Sequence, residues 1–433
     1  MTDQTAKLVR TVGFWGLVAM CINAVVGSGV FLLPSESYKL LGPFSLWAPL
    51  LFAVPVFILV LCFAEAASHF TEPGGAYLYA KTAFGDFIGF ETGWMNWLAR
   101  VTSLASLSNG FVLALARLFP ELGTGAARAA VIVSTIVILA GIHFVGVRYG
   151  AASIYIFTGG KMIPLWGFII VALFAWGRNP IPDSLVFPGA GTQWSDAALF
   201  MLFAYAGFEN LGVPAGEYKN PRKDLPFALL VGILAIAATY ALAQLAAMSA
   251  LTDLGTTQTP IADAAAAIIG PVGAVVITVG ALLSMAGTNS GTMLEGSRML
   301  YALSLGRKPL RLLSFVHPTF RTPSVAIVIH ATVALALALG GTFAKLALLS
   351  AVARLTTYLF TAAAVPRLRR KLGEPGFKNP GGWTIPLLGL AVGLMFVFNL
   401  DAPKLIAAAI AIAVGAVIYL VTRTSTSTPP PPQ

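Results

Sequence analysis

The chain reads as long apolar runs joined by short basic or glycine- and proline-rich connections. Four runs, residues 11–34, 43–64, 225–251 and 270–294, contain no charged residue, and each exceeds the ~20 residues that cross ~30 Å of hydrocarbon as a helix. Eight more carry at most one ionisable side chain each: 92–116, 129–147, 149–176, 197–216, 323–344, 346–365, 383–400 and 405–422. The pattern predicts an all-α polytopic membrane protein of 12 transmembrane helices. A transmembrane barrel is excluded, because its strands are ~10 residues long and alternate in polarity, whereas these runs are longer and apolar all round. An even number of spans puts both termini on one side of the membrane.

The runs also repeat. Spans 1, 2 and 3 recur as spans 6, 7 and 8 about 180 residues later, and spans 4 and 5 recur as 9 and 10. Five spans is an odd number, so the second unit enters from the opposite face, giving inverted repeats over about 11–176 and 195–366. Spans 11 and 12, about 383–422, stand outside the repeat. The first span of each unit is interrupted, at Gly27-Ser28-Gly29 in span 1 and at Ala206-Gly207 in span 6. Such breaks in matching positions point to a transporter's binding site. A helix unwound in mid-membrane leaves N–H and C=O groups unpaired, which is tolerated only where they line a cavity or bind something. The new helix N-terminus offers N–H donors and a positive dipole end to an anion, and the freed carbonyls accept from an ammonium group. That combination suits a zwitterion such as an α-amino acid. The competing reading of Gly27-Ser28-Gly29 is a close helix contact between small residues; the matched second break favours the site.

Composition agrees with the membrane reading: 57% of the 433 residues are apolar and 10% charged, against about 25% charged in a soluble domain. The net charge of +10 raises nucleic acid as a partner, but its distribution does not. With the N-terminus inside, nineteen basic residues fall on the inner side, six on the outer, and Arg100 and Arg354 within spans, which fits the positive-inside rule. The charge reports topology: a multi-pass protein of the inner (cytoplasmic) membrane with both termini cytoplasmic, the lipid bilayer as partner and no nucleic acid. Residues 1–10 form a cytoplasmic N-terminus, 11–422 a single transmembrane domain, and 423–433, rich in Ser, Thr and Pro, a disordered cytoplasmic tail. The first run follows Lys7 and Arg10 like a signal peptide, but it is too long and lacks a small-residue cleavage site. Cys21 and Cys62 lie within spans and read as packing residues.

The motifs Val26-Gly27-Ser28-Gly29-Val30-Phe31-Leu32-Leu33-Pro34, Ala64-Glu65, Pro73-Gly74-Gly75-Ala76-Tyr77, Phe208-Glu209, Lys219-Asn220-Pro221-Arg222 and Ser297-Arg298-Met299-Leu300-Tyr301 occur in this order. Together they resemble the amino acid–polyamine–organocation (APC) family of permeases, over spans 1 to 10. The resemblance implies a LeuT-type 5+5 inverted repeat with broken helices 1 and 6 plus two extra helices, and secondary transport of amino acids or related amines by alternating access. Carried over by motif, the substrate carboxylate would sit on the N–H groups of Ser28 and Gly29, and its ammonium would meet the carbonyls of Val25, Phe203 and Ala206. Gly27, Gly29 and Gly207 would let the backbone approach the ligand.

Ionisable groups inside spans are costly and are functional candidates. In sodium-independent members similar to this chain, a lysine at the position of Lys161 stands in for a sodium ion and bridges helices 1 and 8, which implies that no sodium is needed; the alternative is a lysine reaching to the cytoplasmic surface. Glu209, after the second break, could carry a coupling proton, pair with a passing cation, gate access by bonding to another helix, or serve as a structural anchor. Glu65 and Arg298 could form an inner-gate ion pair, or be ordinary interfacial charges. Arg100 and Arg354 show no partner in the sequence, and His143 and His330 read as packing residues.

Span 1 most resembles that of the family's bacterial arginine/agmatine antiporter, which would imply a cationic substrate. Against this, Asn96 stands where that antiporter has an aromatic gate residue, and residues 270–294 contain no tryptophan to stack on a guanidinium. Ser284, Met285, Gly287 and Thr288 offer small or flexible walls instead. The expectation is a sodium-independent proton symporter of neutral amino acids, with an exchanger of cationic amino acids or polyamines as the alternative, so that the partners are an amino acid and a proton or counter-substrate. No cofactor is expected. Four scattered histidines supply no metal or nucleophilic cluster for an enzyme, and no Gly-x-x-x-x-Gly-Lys-Ser/Thr motif marks a nucleotide-driven pump.

Overall fold

A computed structural model describes residues 12–71, 74–146, 151–174, 187–189, 193–213, 215 and 218–423. The N-terminal ten residues, Pro73 of the third motif and the tail after 423 lie outside them. Among the described residues fifteen α-helices run in order: α1 (Phe14–Val25), α2 (Gly29–Leu41), α3 (Ala48–Ser68), α4 (Gly75–Phe84), α5 (Asp86–Ala116), α6 (Gly125–Val145), α7 (Ala151–Phe174), α8 (Trp194–Tyr205), α9 (Pro221–Ala250), α10 (Pro260–Ile269), α11 (Pro271–Ser304), α12 (Ser324–Gly340), α13 (Phe343–Leu372), α14 (Thr384–Phe398) and α15 (Ala402–Arg423). Among the described residues the extended pairing is one isolated bridge, Val12 to Tyr218.

Eight of these helices are long and apolar enough to cross a membrane, and nine if α1 and α2, bent by 47° at their junction, count as one broken span. Helix is the form a lipid-embedded chain is driven to, since it satisfies every backbone group within one segment. The molecule buries its polar side chains and turns apolar ones outward: Val137, Ile138 and Ile142 on α6 and Ile406, Ile410 and Val417 on α15 are exposed, a surface suited to hydrocarbon rather than water.

The long helix α5 is the central post, packed against α13 and α11, while α9 packs against α3 and α1. The broken pair α1/α2 and the short helix α8 meet between these groups. Two of the helix limits that differ from the sequence reading bear on the site. Span 6, expected over 197–216, is α-helical to Tyr205, where the break at Ala206-Gly207 interrupts it and a short 3₁₀ turn, Phe208–Asn210, follows. Span 8, expected to stop at residue 294, continues as α11 to Ser304 and so brings Glu295 and Arg298 onto the helix.

Candidate functional site

Both sequence breaks are backbone joints, and they touch. At the first, α1 stops at Val25 and α2 begins at Gly29. At the second, Ala206 is extended and Gly207 takes φ +129°, a conformation that L side chains rarely adopt. A methyl group on Gly29 would lie 2.9 Å from Ala204 Cα, and one on Gly207 would lie 2.4 Å from Ala24 O. Each joint therefore presses its glycine against the backbone of the other broken helix. The contact reading and the binding reading of these glycines are compatible: close approach is what brings two sets of freed backbone groups to one place.

The first joint's carbonyls are held by side chains from three surrounding helices. Lys161 on α7 donates to Asn23 O (2.9 Å) and Val26 O (2.6 Å). Ser284 on α11 has its hydroxyl 3.0 Å from both Val26 O and Gly27 O. Tyr240 on α9 donates to Ala204 O (2.9 Å) and lies 3.3 Å from Val25 O, tying the two broken helices together. Lys161 is fully buried, so it does not reach to a surface. Both of these bonds go to the first joint, and the contact to Val26 O from α11 is made by the Ser284 hydroxyl. Ser284, expected as a wall of the binding site, spends its hydroxyl on the joint.

On the N–H side, Phe31 and Leu32 return their amides to Ser28 O, so the α2 ladder starts at Ser28. The N–H groups of Ser28 and Gly29 precede it, as the first amides of any helix do. Around them lies a small space of about 20 Å³ lined by Ser28, Gly29, Ser103, Phe203, Thr288 and Arg354, room for about one water molecule. Among the described residues, the buried hydroxyls of Ser28 and Thr288 and Asn23 Oδ1 have no hydrogen-bond partner. A larger cavity of about 490 Å³ approaches the same place from the α4 side, lined by Asn23, Ala24, Asn210, Thr288, Glu295 and Arg298. Arg100 and Thr288 border both spaces. Asn96 lines an adjoining space of about 60 Å³ with Tyr77 and Met299, and that space shares Arg100, Asn210, Glu295 and Arg298 with the larger cavity.

A buried charge cluster borders the cavity through Arg100 and Glu295, and it gives Arg100 and Arg354 the partners that the sequence does not show. Glu209, placed by the 3₁₀ turn after Gly207, accepts from Arg100 on α5 at 2.5 Å and from Arg354 on α13. It also accepts from its own turn's Gly207 N–H at 2.8 Å and lies 3.4 Å from the Tyr358 hydroxyl. Arg354 continues to Ser103 (2.7 Å) and Arg100 to Glu295 on α11 (3.1 Å). Two guanidiniums and two carboxylates thus link α5, α11, α13 and the second joint. Removing one member of such a set leaves an uncompensated buried charge. Of the roles weighed for Glu209, the one visible in the geometry is the bond across to other helices. Glu295 was missed in the sequence because it stands one residue beyond the expected end of span 8.

The expected Glu65–Arg298 ion pair is not formed. Glu65, fully buried on α3, is gripped by Arg369 of α13 through two bonds of 2.5 and 2.8 Å and by the Asn379 N–H at 2.9 Å. A planar guanidinium matches a carboxylate in this way better than a single bond would. Arg298 lines the large cavity, with Nη1 3.3 Å from Leu294 O. The two histidines are in packed settings: His330 accepts from the Trp97 indole at 3.1 Å, and His143 lies 3.0 Å from the Ser290 hydroxyl.

Comparison with known proteins agrees with the motifs. The amino acid permease family matches residues 12–424. The chain is 30% identical to the serine/threonine exchanger SteT of Bacillus subtilis (strain 168) over 92% of both chains. It is 27% identical to that organism's branched-chain amino acid permease BcaP, over 96% of this chain and 94% of the permease. It is 28% identical to the arginine/ornithine antiporter of Pseudomonas aeruginosa, over 70% of this chain and 64% of the antiporter. This chain belongs to the APC family of amino acid permeases: it is a multi-pass helical membrane transporter, not an enzyme.

Proposed function

We propose that the chain carries small neutral amino acids across the cytoplasmic membrane by alternating access, without sodium, and that it works as an exchanger. In this reading twelve spans form a 5+5 inverted repeat, α1/α2 and α8 being the paired broken spans, with both termini cytoplasmic. The observation that carries the proposal is the pair of interlocked joints: amide donors at Ser28 and Gly29 on one side, and the backbone carbonyls flanking the second break on the other. A substrate carboxylate fits the former and its ammonium the carbonyls of Phe203 and Ala206. Lys161 already supplies a positive charge to the Asn23 and Val26 carbonyls, which supports independence from sodium.

The walls favour a neutral side chain. Thr288, Gly287 and Gly291 are small, and none offers a ring on which a guanidinium could stack. The unpartnered hydroxyls of Ser28 and Thr288 suit a short polar substrate, in keeping with the name of the serine/threonine exchanger. Exchange is favoured over proton symport because Glu209, the first candidate for a coupling proton, already has both oxygens engaged. Proton symport remains the second reading, supported by Glu295, which lines the cavity.

Purified protein in liposomes tests this. We expect labelled serine or threonine uptake only when unlabelled substrate is inside, unchanged when potassium replaces sodium. Uptake into substrate-free liposomes driven by an imposed pH gradient would support symport and overturn exchange. A strict need for sodium would overturn the reading of Lys161.

A further inference from the structure

The basic run Arg367-Leu368-Arg369-Arg370-Lys371 ends α13, and the transport site does not use all of it. Arg369 serves Glu65, and Lys371 donates to Thr82 O at 2.9 Å. Arg367 and Arg370 are different. Both are exposed, and among the described residues neither has a hydrogen-bond or carboxylate partner; nearby Glu374 is taken by Lys378. Each guanidinium lies instead over an aromatic ring, Arg367 4.5 Å from the Phe84 centroid and Arg370 5.3 Å from that of Trp383. Stacking fixes the plane of a guanidinium while leaving its N–H edges free to donate.

The two arginines sit three residues apart, so they share one face of α13. They form the rim of a cleft of about 260 Å³ between the end of α13 and the start of α14, floored by Ala363, Pro366, Pro386, Leu387 and Leu390. Trp383 is 51% exposed and Leu387 56% exposed at its edge. The preceding stretch of α13 is apolar for several turns, which puts the arginines at the boundary between hydrocarbon and water, where tryptophan also concentrates. A polar rim of two unpaired cations over an apolar floor open to the side matches one ligand in that setting: a phospholipid, with its phosphate on the arginines and an acyl chain along Leu387 and Leu390.

We infer that this cleft between α13 and α14 is a binding site for an anionic phospholipid of the leaflet that faces the basic end of α13. On the sidedness proposed above that is the cytoplasmic leaflet, but the test does not depend on it. Arg369, on the same turn, holds α3 through Glu65, so a lipid seated here would brace the α3–α13–α14 junction. Basic pockets between helices on the cytoplasmic side are a recognised place for such headgroups.

Native mass spectrometry of the detergent-solubilised protein would read the inference. The probes are dioleoylphosphatidylglycerol, dioleoylphosphatidylcholine and inorganic phosphate. We expect one phosphatidylglycerol to be retained in preference to phosphatidylcholine. Each basic residue changes affinity by about fivefold, so the Arg367→Gln/Arg370→Gln variant should bind about 30-fold more weakly. A control at Arg311→Gln/Arg321→Gln, exposed basic positions that do not line the cleft, should bind as the parent does. Equal retention of both lipids, an unchanged affinity in the cleft variant, an equal loss in the control, or competition by inorganic phosphate alone would each overturn the inference. A variant that fails to fold is recognised by its elution profile; Leu387→Trp, which fills the floor and spares the charges, then stands in and should block retention, with undiminished retention overturning the inference.

Discussion

Gly207→Ala is the sharpest probe of the interlocked joints. The added methyl would stand 2.4 Å from Ala24 O and 2.8 Å from Ala24 C, where an ordinary contact needs about 3.4 Å or more, so the joints must part by roughly 1 Å. Overpacking of this kind costs about 1–3 kcal/mol. The backbone at φ +129° adds strain of about 1–3 kcal/mol for a residue with a Cβ. Together these come to about 2–6 kcal/mol against the joined state, which is at least about a 30-fold loss of competent protein. Gly29→Ala, which meets Ala204 Cα at 2.9 Å without a positive φ, should lose less, about 5- to 150-fold on the packing cost alone. Gly141→Ala on α6, with nothing within 4 Å of the added methyl, should transport as the parent does. The assay is initial-rate exchange in proteoliposomes, normalised to protein inserted and to a monodisperse elution profile. Exchange by Gly207→Ala within twofold of the parent would refute the claim that the two joints must touch.

Three further outcomes follow from the site. Lys161→Met removes two charge-assisted bonds to the first joint, about 1.5–3 kcal/mol each, so exchange should fall at least tenfold with insertion retained; parental rates would sink the assignment. Glu209→Gln leaves Arg100 and Arg354 facing each other without their shared carboxylate, at a cost of about 3–5 kcal/mol. Its thermal unfolding midpoint should drop well below that of Glu121→Gln at an exposed loop position, and equal midpoints would show that the cluster contributes nothing. His69, just after α3, has its pKa held below the ordinary 6.5 by burial and by the neighbouring Arg222 and Arg369, with Glu65 opposing. The neutral ring is therefore the stable form: its contribution is complete above about pH 6.5 and is lost as pH falls through the lowered folded value. A midpoint series from pH 8 to 5 should show an acid decline that His69→Gln flattens, and identical slopes in the two proteins would contradict this.

The sequence carried the helices and the joints because both are written in local chemistry. An unbroken apolar run of about 20 residues has one solution in lipid, and a glycine pair inside it marks where that solution fails. Pairings between distant charges were not legible in the same way. Arg100, Glu209 and Arg354 are separated by more than a hundred residues and share no periodicity; only packing of α5 and α13 against the second joint brings them together. Glu65 illustrates the limit. Its position at the inner end of a span suggested a partner at the inner end of another, Arg298; the structure gives it Arg369 instead, because α13 and the Asn379 loop pack against α3. Ser284 was read for its size, while its hydroxyl turned out to be committed to backbone carbonyls that no linear pattern places beside it.

Lys161 has a consequence for energetics. A cation that is covalently part of the chain has no concentration, so its seat on the Asn23 and Val26 carbonyls is filled whatever the salt outside the cell. It cannot leave with the solute, run down or be drawn across the membrane by voltage. Free energy stored in an ion that the protein carries permanently is zero for every turnover, so any accumulation must be drawn from another solute's gradient.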